Sequence, residues 1–166
     1  MDSLYVTEIN YNLESHRLAL RELLSDYGKE MQARGDGGAP GLSASVKLRI
    51  VEEMKKRPTI HCVLAFADTA PAGLIVAIEG FSTFAALPLL NIHDVVVSPA
   101  FRGQGISKKL LKEAENIARR IGCCKLTLEV QENNQRARHL YEKNGFESYV
   151  LDPNMGKVLY MQKKLL

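Results

Sequence analysis

The segment Arg102-Gly103-Gln104-Gly105-Ile106-Ser107 packs two glycines, an arginine and a serine into one bend, just before a run of lysines and leucines. Such a bend, opening a helix, exposes backbone N–H groups that the first helical turn cannot pair. Glycine lets those donors converge and lets a ligand approach closely, so the chemistry implied is the binding of phosphate oxygens. Lys108 and Lys109 fall in the first turns of that helix, where each positive charge opposes the helix dipole by roughly 0.3–1 kcal/mol; a bound pyrophosphate would remove the conflict. Two well-known phosphate loops are excluded. A P-loop ends in Gly-Lys-Ser/Thr, whereas Gly105 is followed by Ile106-Ser107, and the dinucleotide fingerprint needs a third glycine where Lys108 stands. Taken alone, the bend reads more readily as a plain turn with exposed lysines.

The elements that position this bend follow from hydrophobic spacing. Leu90 to Val97 reads as a strand ending at Ser98-Pro99. Gln104 to Arg120 reads as a helix with Ile106, Leu110, Leu111, Ala114, Ile117, Ala118 and Ile121 on one stripe, stopped by Gly122. Lys125 to Gln131 alternates as a strand, so these three make a parallel, right-handed β-α-β unit. Upstream, Leu4 to Ile9 is a strand, and Leu13 to Tyr27 a helix with His16, Leu20, Leu23, Leu24 and Tyr27 on one face. Residues Gly35 to Gly41 are irregular, and Ser43 to Lys56 is a second helix. Ile60 to Ala67 and Ala72 to Gly80 form a hairpin around Asp68-Thr69-Ala70-Pro71. Phe81 to Pro88 reads as irregular. Downstream, Asn134 caps a short helix ending at Asn144-Gly145, and Phe146 to Val150 and Lys157 to Lys163 are two closing strands. The order β-α-α-β-β-β-α-β-α-β-β suits an α/β (α+β mixed) fold with a central mixed sheet and helices on both faces.

The 166 residues fit one domain, 1–166. Hydrophobic residues make up 46%, charged residues 25%, and the formal charge is +3. That balance is ordinary for a globular chain and too mild to argue for a nucleic-acid partner. The apolar runs are too short for a membrane span, and the first residues lack the basic-then-apolar pattern of a signal peptide. Three cysteines, Cys62, Cys123 and Cys124, in no framework spacing read as reduced thiols of a cytoplasmic protein. His16, His61 and His139 have no carboxylate or cysteine at metal-ligand spacing, so no metal is expected.

Arg102-Gly103-Gln104-Gly105-Ile106-Ser107 resembles the acetyl-CoA pyrophosphate loop of the GNAT N-acetyltransferases, R/Q-x-x-G-x-G/A. The likeness continues in order: Leu128-Glu129-Val130, then Asn134, Ala137, Leu140-Tyr141 and Asn144-Gly145-Phe146 are similar to the family's strand followed by N-x-x-A-x-x-L-Y-x-x-x-G-F. Together these cover about Phe81 to Tyr149. Ser107 departs from the family's glycine or alanine, but it is small and its hydroxyl can reach a phosphate. Phe81-Ser82-Thr83-Phe84 with Asn91-Ile92-His93-Asp94-Val95-Val96-Val97 is similar to diamine (spermidine/spermine-type) and thialysine-acetylating enzymes. Those carry Leu-Glu-Asp where this chain has Ile92-His93-Asp94.

The resemblance implies a GNAT fold and acetyl transfer from acetyl-CoA to a primary amine of a small molecule. It implies coenzyme contacts from Val95, Val96 and Val97 by backbone pairing, from the loop Arg102, Gly103, Gln104, Gly105, Ile106, Ser107 and Lys108, and from Asn134, Ala137 and Tyr141. It makes Tyr141 the acid for the leaving thiolate; without the family pattern Tyr141 reads as a core residue. A charged amine with a pKa near roughly 10.4 must lose a proton before it attacks. His93 and Asp94 are both candidates for the base. As neighbours on a strand they point to opposite faces unless a bulge lies between them. Glu79 is a third carboxylate within reach of that end of the sheet. A protein lysine or N-terminal acetyltransferase, and a non-catalytic acetyl-CoA-binding module, stay open as alternatives, and a homodimer is admitted.

Overall fold

A computed structural model describes residues 3–35, 40–148, 154 and 161–165. The chain divides into two compact units, Met1–Gln131 and Glu132–Leu166. The first holds β1 (Leu4–Glu8), α1 (Glu14–Ala33), α2 (Ala44–Lys55), β2 (Ile60–Ala67), β3 (Ala70–Ser82), β4 (Leu87–Val97), a short 3-10 turn (Pro99–Phe101), α3 (Ile106–Arg120) and β5 (Leu126–Leu128). Among the described residues, the strands form one five-stranded sheet in the order β1-β2-β3-β4-β5. The first three pairings are antiparallel and β4–β5 is parallel, as the β-α-β reading required.

Alternation along the strands separates two apolar layers. Cys62, Leu64 and Phe66 of β2, with Leu74 and Val76 of β3, pack against Ala19, Leu20 and Leu23 of α1 and Val51 and Met54 of α2. On the opposite face, a Cβ placed on Gly73 would meet Leu110 and Ile106 side chains at 3.1 and 3.3 Å. That face therefore belongs to α3, whose Ile106, Leu110, Leu111, Ala114, Ile117 and Ala118 are all buried. Gly122 ends α3 in the left-handed region at φ 76°. Cys123 N–H then bonds the Ala118 carbonyl at 2.8 Å and Gly122 N–H that of Arg119 at 3.2 Å, which satisfies two carbonyls that the helix leaves open.

Three sequence expectations are corrected. First, α1 runs past Tyr27 and Gly28 to Ala33. Glu30, Met31, Gln32 and Ala33 are good helix formers, and the ion pairs Lys29–Asp26 and Arg34–Glu30 brace these last turns. Second, Phe81 to Pro88 is not irregular. β3 and β4 stay paired to Ser82↔Leu87, closing a long hairpin whose turn is held by Ala85 N–H donating to Ser82 Oγ at 3.3 Å. Third, β5 is three residues long, so Lys125 and Glu129 to Gln131 lie outside it. Of the two closing strands expected at Phe146 to Val150 and Lys157 to Lys163, the described residues 146–148 and 161–163 form no strand, and the rest lie outside the described residues.

In the second unit, α4 (Gln135–Lys143) begins as read. Asn134 Oδ1 accepts from the Ala137 N–H at 3.1 Å, an N-cap of the ordinary kind. Tyr141 and Phe146 meet edge to face with ring centroids 5.8 Å apart.

One buried histidine fixes the β1–α1 corner. Leu13, the residue that precedes α1, supplies no side-chain cap. Instead His16, 6% exposed, accepts from Asn10 N–H through Nδ1 at 3.0 Å and stacks on Phe66. Burial holds its pKa below the usual histidine value. The folded state thus disfavours the proton that the unfolded chain takes up near pH 6.5. Stability is complete above the unfolded value and is lost as pH falls through the folded one. The thermal midpoint should therefore drop between neutral and mildly acidic pH. His16→Phe keeps the ring but strands the Asn10 N–H, costing about 1–3 kcal/mol, and should flatten that part of the pH profile; a slope as steep as wild type would assign it elsewhere.

Candidate active site

The antiparallel register of β3 and β4 breaks once. Val76 faces Asp94 and Ala77 faces Ile92, so His93 is an unpaired extra residue: a β-bulge. Without it, Leu90, Ile92, Asp94 and Val96 would all share one face. With it, Asp94 and Val96 lie on the α1/α2 face beside Val76 and Leu74, while Ile92 and Leu90 lie on the α3 face beside Ala77 and Glu79. His93 is exposed and Asp94 partly buried. Burial raises the Asp94 pKa, and His93 beside it pulls the other way. The bulge thus keeps the two within electrostatic reach of each other. Among the described residues no hydrogen bond reaches the Asp94 carboxylate. A carboxyl without donors in partly desolvated surroundings holds its proton more tightly than usual.

The same bulge ends the pairing with β5. β4 and β5 are in register only over Leu90–Ile92 and Leu126–Leu128, with Asn91 Nδ2 donating to Thr127 Oγ1 at 3.0 Å. Beyond Ile92, β4 continues to Val97 with β3 alone beside it among the described residues. Ser98 N–H bonds the Ala72 carbonyl at 2.9 Å toward β3. Backbone direction alternates, so Val96 and Asp94 also point there, and Val95 and Val97 point to the free edge. The Val97 carbonyl on that edge accepts from Arg102 Nε at 3.1 Å. The Val95 N–H and C=O and the Val97 N–H remain along it. This is an edge able to pair with an extended amide-bearing chain.

The free edge leads into the glycine bend. Gly103 and Gly105 have φ of 81° and 76°, the left-handed region, and a Cβ on either would meet nothing within 4 Å. Both therefore face open space. Gly105 is the N-cap of α3 with no side-chain cap and no acidic residue in the first turn, and Lys108 and Lys109 are exposed. Lys109 N–H reaches the Gly105 carbonyl at 3.2 Å, which leaves the N–H groups before it directed at that space. An uncapped helix start beneath two left-handed glycines suits a phosphate group.

Several sequence candidates have partners of their own. Glu79 pairs with His61 (Nε2···Oε1 2.6 Å) on the α3 face, away from Asp94. Asn134, Ala137 and Tyr141 belong to the second unit, where Asn134 caps α4 and Tyr141 contacts Phe146. Arg102 engages protein rather than open space: Nη2 reaches Glu30 Oε2 at 2.5 Å. Sequence reasoning missed Glu30, and no local pattern links residues 72 apart. It also missed the row Cys62–Val76–Asp94 across three strands. There burial and the Asp94 charge push the Cys62 thiol up to about 12, and burial and Cys62 push the Tyr11 phenol up to about 12.

A β4 edge that β5 leaves beyond Ile92, a bulge above it and a glycine bend below it thus follow one another along the chain from β4 into α3. The family model described as "Acetyltransferase (GNAT) family" matches residues 17–146. This chain is a GNAT acetyltransferase family member. It is 35% identical over 95 residues to thialysine N-epsilon-acetyltransferase of Bos taurus, covering 53% of this chain and 56% of that one. It is 33% identical over 116 residues to glucosamine 6-phosphate N-acetyltransferase of Trypanosoma brucei brucei, covering 67% and 75%. The match thus spans little more than half the length of the bovine relative. An aminoglycoside N-acetyltransferase in complex with CoA shares the fold, with a TM-score of 0.75 at 19% identity over 99% of this chain and 97% of that one.

Acetyl-CoA is the family's cosubstrate, and the residues here fit it. The free Val95–Val97 edge suits the amides of a pantetheine arm, and the Gly103–Gly105 bend suits a pyrophosphate. Gly105→Val tests this directly. Its side chain would enter the open space in front of the loop donors rather than the core, at a backbone cost of about 1–2 kcal/mol for the left-handed conformation. The variant should fold, with a modestly lower melting midpoint, and lose acetyl-CoA binding in calorimetry. Undiminished affinity in a folded variant would remove the loop from the coenzyme site.

Proposed function

We propose that this chain is an acetyl-CoA-dependent N-acetyltransferase acting on a primary amine of a small molecule by direct transfer. The observation that carries the reading is the bulge at His93, which frees the β4 edge and sets a desolvated carboxylate, Asp94, at the same place. In this reading Val95, Val96 and Val97 contribute the strand edge, and residues 102–108 the pyrophosphate loop, with Ser107 and Lys108 at its helical end. Asn134 and Ala137 complete the coenzyme contacts on the family pattern. The whole of 1–166 works as one acetyltransferase domain, a view supported by the family match crossing both compact units.

Bound acetyl-CoA supplies an activated acetyl group. The protein supplies the proton traffic. Asp94, with His93 beside it, takes the proton from the ammonium form of the acceptor, whose nitrogen then bonds the acetyl carbon as the carbon–sulfur bond breaks; the second proton that this nitrogen sheds passes through solvent and replaces the one Tyr141 gives up. Tyr141 returns a proton to the departing sulfur; its role rests on the family pattern Leu140-Tyr141 before Gly145-Phe146. A phenol with a pKa of about 10 is matched to a thiolate of similar basicity. Because the Asp94 pKa is raised, the carboxylate form persists down to a pH higher than for an ordinary aspartate, and activity should be lost as pH falls through that raised value.

The acceptor is proposed to be a small amine of low charge, such as an amino-acid side-chain analogue. Support comes from the names of the bovine and trypanosomal relatives, whose substrates are small amines, and from His93 standing where the diamine group carries glutamate. Losing one carboxylate weakens attraction for a polycation more than for a single charge. The three cysteines are free thiols, which supports a cytoplasmic setting. No helix among the described residues is long and apolar enough to cross a membrane. A homodimer is supported by the exposed Phe81 and Phe84 of the β3–β4 hairpin, and sedimentation reads it directly.

The test is CoA release measured with thialysine, glucosamine 6-phosphate, spermine and a lysine peptide. The small low-charge amines should give the highest kcat/KM, and Tyr141→Phe should lower kcat by ~10²–10⁴ with acetyl-CoA affinity kept. Peptide preference would favour a protein acetyltransferase, and binding without turnover a regulatory module. Asp94→Asn should abolish the acidic limb of the rate profile together with most activity; a variant of normal rate would leave His93 as the base.

A further inference from the structure

The loop that the proposed function assigns to a pyrophosphate opens with an arginine whose guanidinium is already engaged. Arg102 Nε donates to the Val97 carbonyl at 3.1 Å, and Nη2 donates to Glu30 Oε2 at 2.5 Å. Both partners are largely withdrawn from solvent, their side chains 31% and 26% exposed. Glu30 sits near the end of α1, where its other oxygen also faces Arg34 at 3.4 Å. One carboxylate thus ties the end of α1 to the residue immediately before Gly103.

The loop beyond Arg102 has little of its own to hold it. Gly103 and Gly105 are left-handed, with no side chain to pack and open space in front. Glycine backbone has many accessible conformations, and N–H donors bind a phosphate well only when already aimed. The 3-10 turn Pro99–Phe101 lies on the strand side of the bend and the buried Ile106 on the helix side. Between them, the Arg102 side chain links the loop to two other elements, the β4 edge at Val97 and α1 at Glu30. A charge-assisted, partly buried pair of this kind is stronger than an exposed one.

We propose that Glu30 is a positioning residue for acetyl-CoA: through Arg102 it holds the Gly103–Gly105 loop in the conformation that receives the pyrophosphate. The inference rests on the acetyl-CoA reading of that loop. Glu30 acts through Arg102, and its effect falls on coenzyme affinity rather than on the transfer step.

The experiment is a double-mutant cycle of Glu30→Ala and Arg102→Ala, read by calorimetry with acetyl-CoA, by steady-state kinetics with the amine that the panel selects, and by thermal melting. Glu30→Ala should raise the Kd and KM for acetyl-CoA about 5- to 20-fold, with kcat and amine KM within about twofold of wild type. Because Glu30 acts through Arg102, the double variant should bind no worse than Arg102→Ala alone. Glu30→Asp, keeping the charge, should recover part of the loss. Unchanged or tighter coenzyme binding in Glu30→Ala, additive losses in the cycle, or a fall in kcat that follows a fall in melting midpoint would each overturn the proposal. Wild-type protein that fails to bind acetyl-CoA would bring down the functional reading itself, whereas wild-type binding with an unmoved Glu30→Ala would bring down the role of Glu30 alone.

Discussion

The active end of this molecule depends on one inserted residue. His93 has no partner on β3, and that register step decides three things together. It moves Asp94 and Val96 to the α1/α2 face, it limits the β4–β5 pairing to the residues before it, and it frees the strand edge that runs down to the glycine bend. A regular strand would have placed Asp94 on the same face as Ile92 and given β4 no defined point of departure from β5. At that point the extra residue stays out of the ladder, while its neighbours are packed on both faces of the sheet. Leu90, Ile92 and Val96 are all buried, the first two under one helical layer and the third under the other.

Below the bulge, the glycine bend has few contacts of its own and is anchored at its borders. Two left-handed glycines give it its shape, but they contribute no side-chain contacts. Firmness comes from Ile106, buried at the start of α3, and from Arg102, bound to the β4 edge and to Glu30. The far end of α3 is closed by Gly122 and by Arg119 and Arg120, whose charges suit the helix C-terminus. The lysines at the near end do not suit their position unless an anion is present. The helix is thus electrostatically matched at one end and uncapped at the other.

The ionisable groups follow the same division. His16, Cys62 and Tyr11 are perturbed by burial on the α1/α2 face and serve packing: His16 as a hydrogen-bond acceptor for the β1–α1 corner, Cys62 and Tyr11 as neutral groups. Asp94 is perturbed in the same layer but lies at the bulge, with an exposed imidazole beside it. Desolvation alone makes an aspartate reluctant to ionise. Here the neighbouring imidazole opposes part of that burial effect.

Helix α3 was legible from its spacing, because an amphipathic stripe and a glycine stop are local properties. So were the β-α-β unit, the N-cap at Asn134 and the glycine bend that opens α3, since glycine conformation and helix termini depend on neighbours in the chain. Family membership followed from motif order, which is also a property of the chain. The bulge was not legible: Ile92-His93-Asp94 alternates no differently from a regular strand, and only pairing with Val76 and Ala77 reveals the extra residue. The length of β5 was decided the same way, by where β4 leaves it rather than by the apolar pattern through Gln131. The Glu30–Arg102 pair lay furthest from reach. It joins residues whose separation along the chain carries no information about distance, and it forms because the sheet brings the end of β4 against the end of α1. Local chemistry is written in the sequence because its causes are a few residues apart; register, splay and long-range charge pairing are settled only when separate segments compete for the same hydrogen bonds and the same space.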